Sequence, residues 1–242
     1  MGIYVYAISR AGDDAVPPLQ GILDQPVYQL AFGPVAAFVS DCTLESVRAE
    51  RKHIAASQRV LRVLNAQFDL LPMAFGTIAQ SADALSSFLE EYRDGLTTQL
   101  ERVAGSVEMS LRLSLDVTDA IAYLVERTPE LKAARDDLFH RRKPPSHDEK
   151  IQLGQLCDAA LRRYRETQTT QVVALLGPSC AEITALPVRE EKEVASLAVL
   201  VRRDAIDRFG SAVDGAAAQL ADELAVTIGG PWPPHNFVRL NL

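Results

Sequence analysis

The sequence has few of the features that mark secreted, membrane-spanning or metal-binding proteins. Its three cysteines, Cys42, Cys157 and Cys180, are widely spaced and form no C-x-x-C pair. This pattern is typical of a reducing compartment and lacks the spacing of a zinc site. No apolar run reaches the roughly 20 residues that a membrane-spanning helix needs. The amino terminus also lacks the basic and apolar regions of a signal peptide. We therefore predict a cytoplasmic protein without a membrane span.

The motifs of common catalytic and nucleotide-binding sites are missing as well. The sequence contains no G-x-x-x-x-G-K-[ST], G-x-G-x-x-G, G-x-S-x-G or H-E-x-x-H motif. Its four histidines are scattered, and each cysteine is explained more simply as a small core or strand residue than as a nucleophile. We therefore predict no catalytic residue, no cofactor and no metal site.

The net charge of −7, with a sequence pI near 5.2, argues against binding to nucleic acid or to an anionic membrane. One positive cluster stands out in this acidic chain. It consists of Arg141, Arg142 and Lys143, with further arginines downstream at positions 162, 163 and 165. Solvation of a loop and a helix explains this cluster, and so does a docking surface for an acidic segment of a partner protein.

Composition and patterning predict an α+β protein. The 48% hydrophobic and 24% charged residues are ordinary for globular proteins, and 242 residues suffice for two small domains. From Gly105 onward the predicted order is strand, helices, strand, strand, helix, strand, which is the ferredoxin-like arrangement with extra helices. The first part has a related two-layer plan. We place the boundary near Gly105, giving domains 1–104 and 105–242.

Several elements are predicted with definite boundaries. Strict alternation from Val107 to Leu115 indicates a strand whose polar residues, including Glu108, face water. Thr43 is predicted to cap a long helix, Leu70–Ile78 to form one buried strand, and 81–103 to form one helix. The motif Ser146-x-x-Glu149 predicts a capping box, and 194–201 a central strand.

The carboxy-terminal segment Gly230-Pro231-Trp232-Pro233-Pro234-His235-Asn236-Phe237 holds the single tryptophan of the chain among three prolines. Prolines favour an extended path, on which an aromatic side chain can serve as a preformed apolar anchor. The segment either covers a sheet edge or binds a partner. Trp232 and Phe237, together with Arg141, Arg142 and Lys143, are the candidate partner-binding residues.

Four segments together resemble the gas vesicle protein L/F family (GvpL/GvpF). They are the opening strand Tyr4–Ile8, the segment Leu71–Thr77 (LPMAFGT, similar to LPMRFGT), Gly105 with Glu108 (similar to G-x-x-E), and the segment 230–237 (similar to GPWPPYSF). They are spread over the whole chain in the family's order. The chain departs from the family pattern at four positions, which are Ala7, Ala74, His235 and Asn236.

The resemblance implies an accessory or minor gas vesicle protein with no catalytic activity or cofactor. It further implies an amino-terminal modified ferredoxin fold, followed by a second α+β domain. The implied partners are the small hydrophobic shell protein GvpA and other gas vesicle proteins, whose assembly it would assist; self-association stays open. The alternative is a small-ligand sensor or enzyme, because ferredoxin-like scaffolds host many unrelated functions.

Overall fold

A computed structural model describes residues 2–12, 14–141 and 144–239. It is 45% helical and 26% strand and contains two antiparallel sheets, which confirms the predicted mixture of helices and strands. The chain divides into two compact units. Unit 1 falls within Met1–Met109, Leu200–Arg203 and Gly230–Leu242, and unit 2 is Ser110–Val199 with Asp204–Gly229. The tail segment thus groups with the amino-terminal residues, and the domain boundary at Gly105 stays a prediction.

The first part of the chain builds a five-stranded sheet and the helices that follow it. Its elements are β1 (Gly2–Arg10), β2 (Tyr28–Phe32), β3 (Val35–Cys42), α1 (Arg51–Asn65), β4 (Leu71–Pro72), β5 (Ile78–Ala79), α2 (Ala82–Glu91) and α3 (Arg93–Val103). The strand order is β2–β3–β1–β4, and β5 also pairs with β1. The two apolar stretches 27–32 and 35–39, joined at Gly33-Pro34, predict a hairpin, and β2 and β3 form it. Gly33 takes the positive φ of 59° that the tight turn requires.

The second part builds a four-stranded sheet and the longer helices. Its elements are β6 (Ser106–Leu115), α4 (Ala120–Arg127), α5 (Pro129–Phe139), α6 (His147–Leu176), β7 (Glu182–Leu186), β8 (Glu193–Arg202), α7 (Ile206–Ala217) and β9 (Leu224–Trp232). The strand order is β7–β8–β6–β9. The predicted central position of β8 and the predicted capping box at the start of α6 are both confirmed.

The core of unit 1 joins β1 and β3 to helix α1. Tyr4, Tyr6 and Phe38 pack with Val60 and Leu64, the apolar side of α1. The helix begins at Arg51 with Glu50 as its N-cap, so the prediction of a helix starting at Thr43 is wrong. Residues before Glu50 bury Val47 without helical geometry. Apolar residues at apparent helical spacing therefore do not require one continuous helix.

The prediction of a single strand over Leu70–Ile78 is also wrong. The segment forms the two short strands β4 and β5, separated by a turn in which the Thr77 N–H donates to the Ala74 carbonyl at 3.2 Å. Gly76 has a φ of +87°, a conformation that a β-strand residue does not adopt. The chain leaves the strand here because the Gly76 N–H donates to the Tyr4 hydroxyl oxygen instead of to a strand partner.

Two further boundaries differ from the sequence-based predictions. The helix predicted over 81–103 is two helices, because Tyr92 has non-helical backbone angles and ends α2. The last strand extends past Ile228 to Trp232, so the first part of the tail segment is β-structure. Alternation in β6 is confirmed except at Glu108, whose side chain is buried, with the residue only 5% exposed.

Candidate partner-binding site

An apolar pocket opens beside the split strand β4–β5 in unit 1. Its volume is about 440 Å³, and Thr77 is the one polar residue that lines it. The apolar lining comes from β1, from the β4–β5 segment and from α2: Val5, Ile8, Pro72, Met73, Ala74, Ile78, Ala79, Ala84, Leu85 and Phe88. Such a concave, apolar surface suits an apolar side chain of a ligand or partner.

The pocket is shaped by contacts between the opening strand and the turn of the LPMAFGT segment. The Tyr4 hydroxyl accepts a hydrogen bond from the Gly76 N–H at 3.0 Å, and the Val5 N–H donates to the Thr77 carbonyl at 3.0 Å. The Tyr4 ring also lies 6.3 Å from the ring of Phe75, which is 37% exposed. The first two motifs of the family resemblance therefore meet in space and fix one another.

A second tyrosine of the opening strand, Tyr6, lies beside Tyr4, with 4.8 Å between the ring centroids. The Tyr6 hydroxyl lies 2.9 Å from the Ser40 hydroxyl and accepts a hydrogen bond from the Ile22 N–H at 2.7 Å. Gly21 is required beside it, because a Cβ at that position would lie 2.0 Å from the Tyr6 hydroxyl oxygen. Burial raises the pKa of Tyr6, so this phenol stays protonated and its hydrogen bonds persist.

The tail segment is held by the buried carboxylate of Glu108. Its two oxygens accept hydrogen bonds from the backbone N–H and the side-chain amide of Asn236, at 2.8 and 2.6 Å. Burial raises the pKa of Glu108, and these two hydrogen bonds partly offset that effect. Arg102 donates to the carbonyl of Phe237 on the same segment. The remaining two motifs of the resemblance thus also meet in space.

Gly230 lets the tail segment pass close to β6. Its φ is +123°, and a Cβ there would lie 2.8 Å from the Met109 sulfur and 3.0 Å from the Glu108 carbonyl oxygen. A larger residue would strain the backbone and push the tail away from β6.

The two aromatic candidates of the tail have different environments. Phe237 is completely buried within unit 1, so in this structure it is a core residue. Trp232 is half-buried, and the Arg62 guanidinium of α1 lies 5.6 Å from its ring centroid, in the range of a cation–π contact. Only Trp232 therefore presents part of its ring to a partner.

The basic cluster lies in a different part of the chain. Arg141 pairs with Glu149 at 3.0 Å and donates to the Asp137 carbonyl at 2.7 Å. Arg142 and Lys143 lie outside the described residues. A role of these three in partner binding stays a prediction, and the described member already has intramolecular partners.

The described residues contain no group of three or more His, Cys, Asp and Glu side chains placed to hold a metal ion. Burial raises the pKa of the Cys157 and Cys180 thiols, which favours their unreactive protonated form. No helix in the described ranges is both long and apolar enough to cross a bilayer.

Sequence reasoning missed Glu108, Arg62 and Tyr4 as site residues. Glu108 was assigned to the solvent face of β6, although its place in the G-x-x-E motif was a signal. Arg62 had no signal, because its contact with Trp232 joins positions that are far apart in the chain. Tyr4 was noted only as part of an opening strand.

Solved structures have the same fold. The crystal structure of the gas vesicle protein GvpF from Anabaena sp. PCC7120 superposes with a TM-score of 0.86 at 22% identity, covering 100% of this chain and 99% of that chain. The GvpF structure from Microcystis aeruginosa gives 0.82 at 23% identity, with 99% of each chain covered. The fold is therefore that of these gas vesicle proteins, a mixed helix-and-strand protein with two antiparallel sheets.

Sequence comparison identifies the family. The model of the gas vesicle synthesis protein GvpL/GvpF family matches residues 2–239, so the chain belongs to this family. Gas vesicle protein F of Streptomyces sp. (strain CB03234) is 29% identical, with 99% of this chain and 100% of the relative covered. Gas vesicle protein L1 of Halobacterium salinarum is 24% identical over 98% and 90%. The relatives support a role in gas vesicle formation.

Proposed function

We propose that this protein is a non-catalytic accessory protein that binds the shell protein GvpA and other gas vesicle proteins and assists vesicle assembly. It would act in the cytoplasm and at the growing vesicle. The observation that carries the proposal is the apolar pocket beside β4–β5, which offers a place for an apolar side chain of a partner. Membership of the GvpL/GvpF family supports the same role.

The position of the pocket fits a partner that exposes strand edges and apolar side chains. The segment β4–β5 lies at the end of the strand order in its sheet, and each strand is only two residues long. Short, split edge strands do not template their own aggregation. An added segment can still place side chains in the adjacent pocket. A small, hydrophobic shell subunit would be kept soluble while its apolar surface is covered there.

We further propose that both sheets are variants of the ferredoxin-like arrangement. Numbered from its own first strand, each sheet has the order second, third, first, fourth. In the second set, α4–α6 connect β6 to β7 and α7 connects β8 to β9, as in the β-α-β-β-α-β order. Between β1 and β2 the described residues contain only the short 3₁₀ turn Ile22–Asp24, which supports the term modified for the first set.

A charge placed in the pocket tests the proposed role. Ala74 is exposed and lines the pocket, so Ala74→Asp adds a carboxylate there without removing a core side chain. We expect this variant to bind GvpA about tenfold more weakly or worse, because a partner's apolar group would have to desolvate the charge. The measurements are a pull-down and the soluble fraction of GvpA on co-expression.

The matched control is Ala82→Asp, an exposed position in the first turn of α2 that does not line the pocket. It should leave GvpA solubility unchanged. Equal aggregation of GvpA with and without the wild-type protein would refute the proposed function. Equal binding by the two variants would refute the assignment of the pocket.

A further inference from the structure

Helix α1 carries a positive face that its own sequence does not neutralise. Arg51–Asn65 contains arginines at positions 51, 59 and 62 and a lysine at position 52, but no aspartate or glutamate. The three arginines are exposed and lie within one side of the helix, since their spacings are eight and three residues. The chain as a whole is acidic, with a net charge of −7.

These arginines have no carboxylate partner among the described residues. Arg59 donates only to the backbone carbonyl of Gln20, at 3.0 Å, and Arg62 contacts only the face of Trp232. Arg51 and Lys52 lie in the first turn of α1, where positive charge opposes the helix dipole. These positive residues therefore lower the stability of the helix. Residues that are unfavourable for stability are characteristic of binding sites.

The positive face ends at a pocket of about 380 Å³ in unit 1. Arg62 of α1 and Ala66, the C-cap of that helix, line it on one side. Pro231 and Trp232 of the tail line it on the other. Arg203 closes it by donating to the carbonyls of Asn65 and Phe68, at 2.5 and 3.1 Å. The Arg203 guanidinium thus lies against the carboxyl end of α1, where it offsets the negative end of the helix dipole. It also pairs with the Asp69 carboxylate at 3.6 Å, so the anion of a ligand is left to Arg62.

From this geometry we infer that the Arg62–Trp232 pocket and the arginine face of α1 bind an acidic peptide segment of a partner protein. A carboxylate of the segment takes the free N–H groups of Arg62, and an adjacent apolar group packs on Trp232 and Pro231. Further carboxylates reach Arg59 and Arg51 along the helix. Charge complementarity defines this ligand, because Arg51, Arg59 and Arg62 have no carboxylate partner among the described residues. Lys52, by contrast, pairs with Glu50 at 3.3 Å and is not needed for the site.

A peptide ligand fits this surface better than a nucleic acid. Nucleic acid needs a surface that displaces many counterions, and the net charge of this protein repels an extended polyanion. A short acidic segment meets only the local positive face. The surface also differs from the apolar pocket beside β4–β5 in its lining residues, so this inference does not rest on the proposed binding of GvpA.

Trp232 supplies a direct readout, because it is the single tryptophan of the chain. The probe is an unlabelled peptide of alternating glutamate and glycine, titrated into the full-length protein while tryptophan emission is followed. We expect a saturable change in emission that weakens as salt is added. Arg62→Gln should raise the Kd about two- to fivefold, and Arg59→Gln/Arg62→Gln about tenfold.

The matched control is Arg162→Gln, which removes the same charge from an exposed arginine of α6 that pairs with Asp158. It should leave the Kd unchanged, and thermal melts should show that all variants stay folded. Ala74→Asp should also leave peptide binding unchanged, so failure of this inference can be told from failure of the GvpA proposal.

Three results would overturn the inference. The first is an unchanged Trp232 emission at saturating peptide in low salt. The second is an equal loss of binding in Arg162→Gln and Arg62→Gln, which would indicate a general charge effect. The third is a different occupant. It would be shown by tighter binding of oligodeoxythymidylate through the same arginines, or by a self-associated state in sedimentation that the Arg62→Gln variant does not form.

Discussion

The arginines of α1 and those of α6 look equally basic in the sequence, but they differ in the structure. Arg162 pairs with Asp158 at 2.8 Å. Arg165 donates to three backbone carbonyls, two in the loop before β8 and one at the first residue of β8. On α1, Arg59 and Arg62 have no carboxylate partner within the described residues. A dense run of positive residues therefore does not measure the charge that is available for binding.

The difference comes from local sequence as well as from the fold. Helix α6 contains acidic residues at helical spacing from its arginines, so it can neutralise itself. Helix α1 contains none. In the sequence, the dense cluster around Arg141 stands out as a surface for an acidic partner, and the arginines of α1 do not. A count of acidic residues on the same helix face would have favoured α1 over the Arg141 cluster as the surface for an acidic partner.

The largest effect is expected at Arg165, the arginine that the fold uses most. Arg165→Ala removes charged donors at 2.9–3.0 Å from the carbonyls of Glu190, Glu191 and Glu193. We expect a loss of about 3 kcal/mol in the free energy of unfolding by urea. Arg165→Lys should restore little, because an ammonium cannot reproduce the planar fork.

Arg163→Ala is the control for that measurement, since Arg163 is exposed on the same helix. It should change stability by no more than about 0.5 kcal/mol. Similar losses of unfolding free energy in both variants would mean that the carbonyl contacts of Arg165 do not stabilise the fold.

Glu108 differs from these exposed arginines, because it is a buried carboxyl group whose hydrogen-bond donors, the backbone N–H and side-chain amide of Asn236, are neutral. Its pKa is raised by burial, so its contribution to stability is present below the ordinary value of 4.5 and is lost as the pH rises through the folded-state pKa. Glu108→Gln removes this titration and keeps a hydrogen-bonding amide. We expect the stability of the wild type relative to the variant to fall as the pH rises from 4.5 toward neutrality.

The measurement is urea unfolding of both proteins across this pH range, with the difference taken at each pH. A difference that stays constant, or one that rises with pH, would contradict the assignment of burial as the main cause of the raised pKa.

The smallest effects separate the two helices by sign. Arg162→Ala should lower stability by about 0.3–0.5 kcal/mol, the usual value of an exposed i,i+4 pair. Arg51→Ala should raise stability by about 0.3–1 kcal/mol, because it removes a positive charge from the first turn of α1. Both changes should shrink in high salt. Destabilisation by Arg51→Ala would show that this arginine has a structural role.

The sequence was sufficient wherever the controlling interaction is local. Alternation of apolar and polar residues predicted β6, and a continuous apolar run predicted the central strand β8. Ser146 with Glu149 predicted the start of α6. Each of these patterns depends on neighbours within a few residues. The tail also showed its extended path, since prolines fix the backbone locally.

The missed features depend on partners far away in the chain. The strand predicted over Leu70–Ile78 is split where the Tyr4 hydroxyl accepts a hydrogen bond from the Gly76 N–H. Glu108 is buried where Asn236 donates to its carboxylate. No local pattern contains these pairs. The family resemblance marked all four segments that hold them, but a resemblance gives positions and not contacts.

The burial of Phe237 has a consequence for the order in which the protein is made. Chains fold as they leave the ribosome, generally beginning with the amino-terminal part. Unit 1 is an exception, because its core receives Phe237 only after all of unit 2 has been synthesised. A nascent or prematurely terminated chain would therefore carry an incomplete first unit. In the cell, such a chain would present an open core to chaperones and proteases.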